Sequence, residues 1–136
     1  YNMDGVPVIR IPLYKPLPHG KFAASAVIKS IAEIVNDNKK AGFVPDVIVG
    51  HFINPQLEVL SLLKSYYPNA KTTLIYHLSA EIQMVKNVYG KRYDELISAV
   101  DVLGFRNITI RKEFEKLHIL LNHSFVTQVY QKNMLP

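Results

Sequence analysis

The 136-residue, 15.5-kDa chain is one domain's worth of polypeptide, and it has no cysteine, which excludes a disulfide framework, a thiolate metal site and a thiol nucleophile. Sixteen Lys and Arg against eleven Asp and Glu give a net charge of +5 and a pI near 9.4, a balance that favours anionic partners such as phosphates or lipid head groups. The basic residues are scattered, with no run longer than pairs such as Lys39-Lys40 and Arg111-Lys112, so a solvated surface is the plainer reading of the charge and nucleic acid is not an expected partner. No stretch reaches the roughly 18 apolar residues of a membrane span, and no signal peptide opens the sequence. A cytoplasmic protein is expected, with peripheral membrane contact left open.

In chain order, Asp4-Gly5 suggests a tight turn into a strand over residues 6–13, and a chain that begins inside a turn without an initiator Met reads as part of something longer. Residues 15–20, KPLPHG, break regular structure. Over residues 21–40, Val27, Ile31, Ile34 and Val35 form the apolar stripe of an amphipathic helix, with Lys39 and Lys40 in its last turn and Gly42 able to end it. Residues 47–52 form a short apolar run rich in Val and Ile, so residues 46–52 read as a central strand of a parallel sheet. Asn54 can cap the following helix with Pro55 at its first position, and Leu57, Leu60 and Leu63 supply its buried face.

Residues 71–78 are a second strand, Ser79 a cap, and residues 80–100 two helices divided at Gly90. A strand over Val102–Phe105, a helix over Ile108–Leu117 and a strand over residues 124–130 complete the order. Alternating strands and helices imply right-handed crossovers and a mostly parallel sheet covered on both faces: an α/β, Rossmann-like three-layer sandwich.

Ligands of such sheets bind beyond the strand carboxyl ends, and His51 and His77 both stand there. His51 follows Gly50, whose missing side chain allows close approach, and precedes a helix amino terminus that suits an anion, so His51 with the Asn54 region can hold a phosphate or a sugar hydroxyl. The bland alternative is a histidine merely satisfied at a strand end. Arg106 and Asn107 follow the Val102–Phe105 strand at the same edge, where Arg can fork onto a carboxylate or phosphate or simply make a surface ion pair. Metal ligation is not expected, since no HxH or HxxxH spacing accompanies the histidines. His19, His118 and His123 read as surface residues. There is no GxGxxG, GxxxxGK[ST], GxSxG or DxDxDG.

With these residues placed, the sequence resembles the N-terminal domain of a GT-B glycosyltransferase in the retaining glycosyltransferase 4-like family. The matching features are Asp4-Gly5-Val6-Pro7-Val8 leading to Ile11-Pro12, Val44-Pro45-Asp46-Val47-Ile48 with His51 five residues after the Asp, the run of residues 72–77 ending in His77, and Val100-Asp101 followed by Arg106-Asn107. The resemblance implies half of a GT-B fold that forms the acceptor side of the cleft. His51 would stand near the transferring sugar or its phosphate as the catalytic residue, and Asn54, His77, Arg106 and Asn107 would line the acceptor or phosphate site. It implies a nucleotide-sugar co-substrate, held mainly by a second Rossmann-like domain outside these residues, no separate cofactor, and a carbohydrate or lipid-linked acceptor. Two departures accompany it: the glycine-rich loop after the first strand would lie before Tyr1, and Asn107 stands where members often carry a serine. Residues 1–136 alone would be inactive. The rival class is a non-catalytic doubly wound binding or regulatory module of the receiver type. It would call for an acidic cluster at a strand end, where this sequence offers only Asp46 before its strand.

Overall fold

The computed structural model describes residues 2–11, 24–117 and 124–127, and the chain divides into two compact units, Tyr1–Phe43 and Val44–Pro136. In the first unit β1 (Asn2–Met3) and β2 (Val6–Pro7) form an antiparallel hairpin. Its two-residue turn places Asp4 at φ 51 and Gly5 at φ 85, the paired positive values of a type I′ turn, which Asp-Gly tolerates. Of the strand expected over residues 6–13, the described residues 6–11 contribute a two-residue stub, Val6–Pro7, paired with β1 in the hairpin, and residues 12–13 lie outside the described residues. Pro7 has no amide proton to donate, so it cannot extend a ladder from its nitrogen. Helix α1 (Ala24–Lys40) buries Val27, Ile31 and Val35, the expected stripe. It ends in a Schellman motif: Gly42 at φ 74 donates its amide to the Lys39 carbonyl at 3.0 Å, and Phe43 donates to the Asn38 carbonyl at 2.9 Å. The loop expected over residues 15–20 lies outside the described residues.

The second unit is built on a four-stranded parallel sheet in the order β3 (Val47–His51), β4 (Lys71–Tyr76), β5 (Val102–Phe105), β6 (Ser124–Thr127). Helices α2 (Ile53–Tyr66), α3 (Ser79–Tyr89), α4 (Arg92–Ser98) and α5 (Ile108–Leu117) connect the strands. Each crossover steps one strand in the same direction, and right-handed connections of that kind put their helices on one face. Burial agrees. Thr72, Leu74 and Tyr76 of β4 and Leu103 and Phe105 of β5 are buried, and they face α2, α3 and α5. On the opposite face Val47 and Val49 are 56% and 50% exposed. Among the described residues the run expected as a central strand thus belongs to a strand at one end of the sheet's order, because apolar continuity cannot show which faces are covered.

The core is aromatic at its centre. Tyr76, Phe105 and Phe114 form a triangle of rings with centroids 5.2 to 5.4 Å apart, which holds α5 on β4 and β5. Tyr76 and Tyr93 share a hydrogen bond between their hydroxyls at 3.1 Å, and burial pushes the Tyr93 phenol up to about 12 and that of Tyr76 well above its ordinary value. Tyr89 is buried too, with its hydroxyl unpartnered among the described residues. An unsatisfied buried hydroxyl costs about 1–3 kcal/mol, so Tyr89→Phe is expected to leave the urea midpoint unchanged or raise it. A fall equivalent to more than about 1 kcal/mol would show instead that the hydroxyl bonds to something.

A polar cluster ties the amino-terminal edge of the sheet. Lys64 of α2 donates to the Ala70 carbonyl and to Asp101 Oδ2, each at 2.8 Å, while the Thr72 amide also donates to Asp101 Oδ2 at 2.8 Å. The Thr72 hydroxyl has one proton for two acceptors, the Ala99 carbonyl at 2.6 Å and Asp101 Oδ2 at 2.9 Å, and it accepts the Asp101 amide at 3.1 Å. Burial raises the Asp101 carboxyl, but the bonds from Lys64 and Thr72 outweigh that and hold it at about 2 against an ordinary 3.8.

A carboxyl depressed on folding stabilises the protein above its unfolded value, and that contribution fades as pH falls from about 4 towards 2. The full shift is equivalent to about 2.5 kcal/mol, and with side chains 30% (Asp101) and 26% (Lys64) exposed solvent screening reduces it to about 1–2 kcal/mol. Asp101→Asn should therefore lose about that much at pH 7, and the gap from the unaltered chain should close near pH 2, as read from urea midpoints at both values.

Candidate functional site

Side chains alternate along a strand, and on β3 the alternation sends Val47, Val49 and His51 to the face away from the helices. On β4 and β5 the helix-facing residues at the carboxyl ends are Tyr76 and Phe105, so His77 and Arg106, one position further, emerge on that same open face. The register pairs His51 with Ile75 and Tyr76 with Phe105, which sets His77 beyond Ile75 and Arg106 in the next row. His51 Nδ1 and His77 Nε2 lie 3.0 Å apart, a hydrogen bond between imidazoles. The Arg106 amide donates to the Tyr76 carbonyl at 3.0 Å, tying its turn to the same edge, and its side chain is exposed.

Phe52, which the sequence reading did not single out, completes the arrangement. Its ring stacks on His77 with centroids 4.3 Å apart and an interplanar angle of 23°. Its backbone adopts φ 64 and ψ 140, a conformation costing a non-glycine residue on the order of 1–3 kcal/mol, while its amide donates to the Ile75 carbonyl at 3.1 Å. An exposed aromatic between a strand-end histidine and a helix start was the available signal. Its positive φ had no counterpart in the sequence.

Three helices, α2, α3 and α5, begin at this edge, and their starts differ. At α3 the Glu81 carboxylate turns back to accept the amides of His77 and Leu78, both at 3.1 Å, so a side chain of the helix itself fills the anion position. Ser79, expected as the cap, is the first helical residue, and the carboxylate binds the two amides just before it. At α2 the residue before the helix is Phe52, with no side-chain cap. Asn54 is the second helical residue and Pro55 the third, which corrects the expectation that Asn54 caps and Pro55 starts the helix. Asn107 does cap: its Oδ1 accepts the Ile110 amide at 3.0 Å at the start of α5.

Gly50 faces the helices rather than a ligand. A β-carbon built there would lie 2.8 Å from Leu60 Cδ1 and 3.2 Å from Gln56 Cβ, so the glycine lets α2 settle directly on β3. The site thus consists of two joined imidazoles, an aromatic ring stacked on one of them, an arginine one row away and an uncapped helix start. Among the described residues no third His, Cys, Asp or Glu joins the histidines, and no helix is long and apolar enough to cross a membrane. No protein-family model matches the sequence, and neither a curated protein nor a solved structure matches the chain.

Proposed function

We propose that this chain is the acceptor-side half of a GT-B glycosyltransferase, a Rossmann-like domain whose intact parent moves a sugar from a nucleotide donor to a carbohydrate or lipid-linked acceptor. The observation that carries the reading is the 3.0 Å contact of His51 with His77 at the carboxyl edge of a parallel sheet, where ligands of such sheets bind.

The bond between the rings fixes what His51 offers. If His51 Nδ1–H donates to His77 Nε2, then His51 Nε2 carries a lone pair and can accept the proton of a sugar hydroxyl. If His77 Nε2–H donates instead, His51 Nε2–H is a donor for a phosphate or ring oxygen. Both roles suit a residue beside the transferring sugar. The uncapped start of α2 next to His51 favours a phosphate there, whereas Glu81 already fills the corresponding place on α3. Arg106 in the next row supports the same anionic ligand. The nucleotide is held mainly by a domain outside residues 1–136. The positive balance of the chain suits an acceptor displayed on an anionic leaflet.

The test is an assay of the intact parent against a panel of nucleotide sugars, with release of nucleoside diphosphate as the readout. Turnover of at least one donor is the expected result. Neither transfer nor hydrolysis of any donor would overturn the reading.

A further inference from the structure

The same two rings present a second chemistry that spacing along the sequence did not disclose. Twenty-six residues separate His51 from His77, so no short metal motif is visible, yet the register brings their nitrogens to 3.0 Å. Two nitrogens on a tetrahedral zinc ion at 2.0–2.1 Å stand about 3.3–3.4 Å apart, and adjacent nitrogens on a tetragonal Cu²⁺ ion about 2.8–2.9 Å. The observed separation falls between these values.

We propose that His51 Nδ1 and His77 Nε2 form an open two-imidazole seat for a divalent transition ion of the copper, nickel and zinc class. The remaining positions go to water, since no third His, Cys, Asp or Glu joins the pair among the described residues. Several features favour it. His51 is exposed and His77 half-buried, so an ion reaches the nitrogens from solvent without opening the core. Each ring is anchored at a strand end, and Phe52 stacked on His77 limits the rotation of that ring, which lowers the ordering cost of binding.

Binding needs a change of tautomer and a tilt of the rings that turns both lone pairs from the line between the nitrogens towards a common point. The one proton now shared between the rings moves through solvent, leaving His51 protonated on Nε2 and His77 on Nδ1, with both facing lone pairs on the ion. Imidazole pairs follow the order Cu²⁺ above Ni²⁺ and Zn²⁺, and they have little affinity for oxygen-seeking Mg²⁺. Protons compete for the same lone pairs, so binding weakens in acid. This inference does not depend on sugar transfer and would stand if that reading failed.

The experiment titrates CuCl₂, ZnCl₂ and MgCl₂ into the 136-residue chain by calorimetry, beside His51→Gln, His77→Gln and the double variant. His19, His118 and His123 remain in all four proteins and so supply a constant background. The unaltered chain should bind one more equivalent of Cu²⁺ than the double variant, Zn²⁺ more weakly, and no Mg²⁺ at the pair. Each single variant should lose at least the roughly 10–100-fold that removing even an outer partner of a metal ligand costs. Electron paramagnetic resonance of the copper-loaded chain should show coupling to two imidazole nitrogens. Circular dichroism of the variants should match the unaltered chain, since neither side chain lies in the core. Equal copper stoichiometry and affinity in all four proteins, or a copper signal with no difference between the unaltered chain and the double variant, would overturn the proposal.

Discussion

On the proposed sugar-transfer reading, replacing His51 by alanine in the intact protein should lower sugar transfer by about 10²–10⁴-fold with little change in stability. That range is typical for loss of a positioned proton acceptor or donor, and the exposed ring contributes little to packing. The KM for the donor should move far less than kcat, because the proposed reading assigns most of the donor's binding surface to a different domain. His77→Gln tests how His51 is held. Gln keeps one donor and one acceptor at that end, so it can restore the bond to His51 Nδ1 but cannot reproduce an imidazole's exchange between tautomers. A smaller loss in kcat than His51→Ala gives, with an altered pH profile, is the expected pattern. Wild-type kcat and pH profile in both variants would remove the histidines from the chemistry.

The sequence made the second unit readable and left the faces of its sheet unreadable. The strand over Val102–Phe105 and the helix over Ile108–Leu117 appear with the bounds expected, because each is a short apolar or periodic segment with polar residues at both ends. Gly90 divides α3 from α4 as a positive φ of 54 requires. By contrast, the apolar run at residues 47–52 reads the same whether one face is covered or two, and the strand order among the described residues puts β3 at one end. The hairpin at Asp4-Gly5 announced its turn, but how far its strands would run depended on a partner that the residues do not name.

The site divides in the same way. That His51, His77 and Arg106 share an edge follows from element order, which patterning conveys. That the two imidazoles touch depends on a register of His51 with Ile75, a tertiary quantity with no local signature. Asn54 was misplaced for a related reason: Asn-Pro suggests a capped start, but the chain had already turned at Phe52, whose strained φ is imposed by contacts with β4 rather than by its own preference. Asn107 could be identified as a residue of the edge, yet its amide oxygen is committed to the Ile110 amide, so it contributes to the site through the start of α5.

Gly50→Ala should destabilise the chain by about 1–3 kcal/mol, the usual range for adding a methyl group to a filled core. The new β-carbon would meet Leu60 Cδ1 at 2.8 Å and Leu60 Cγ at 3.2 Å, and Leu60 is itself almost fully buried in the core, so it has little room to change rotamer. Either α2 lifts from β3 or Leu60 is displaced into its neighbours. Leu60→Ala alone opens a cavity and should cost about 2–5 kcal/mol. If the clash is the cause, the two changes partly cancel: the double variant should be more stable than the sum of the single effects by about 1 kcal/mol or more, as read from urea midpoints in a double-mutant cycle. Strict additivity would show that Gly50 is needed for something other than the approach of α2. Because Gly50 adjoins His51 and α2 begins two residues after that histidine, lifting the helix also moves one imidazole relative to the other. The same substitution should therefore lower affinity for Cu²⁺ at the histidine pair, and Leu60→Ala in the same chain should restore part of it, tying the packing beneath the sheet edge to the chemistry upon it.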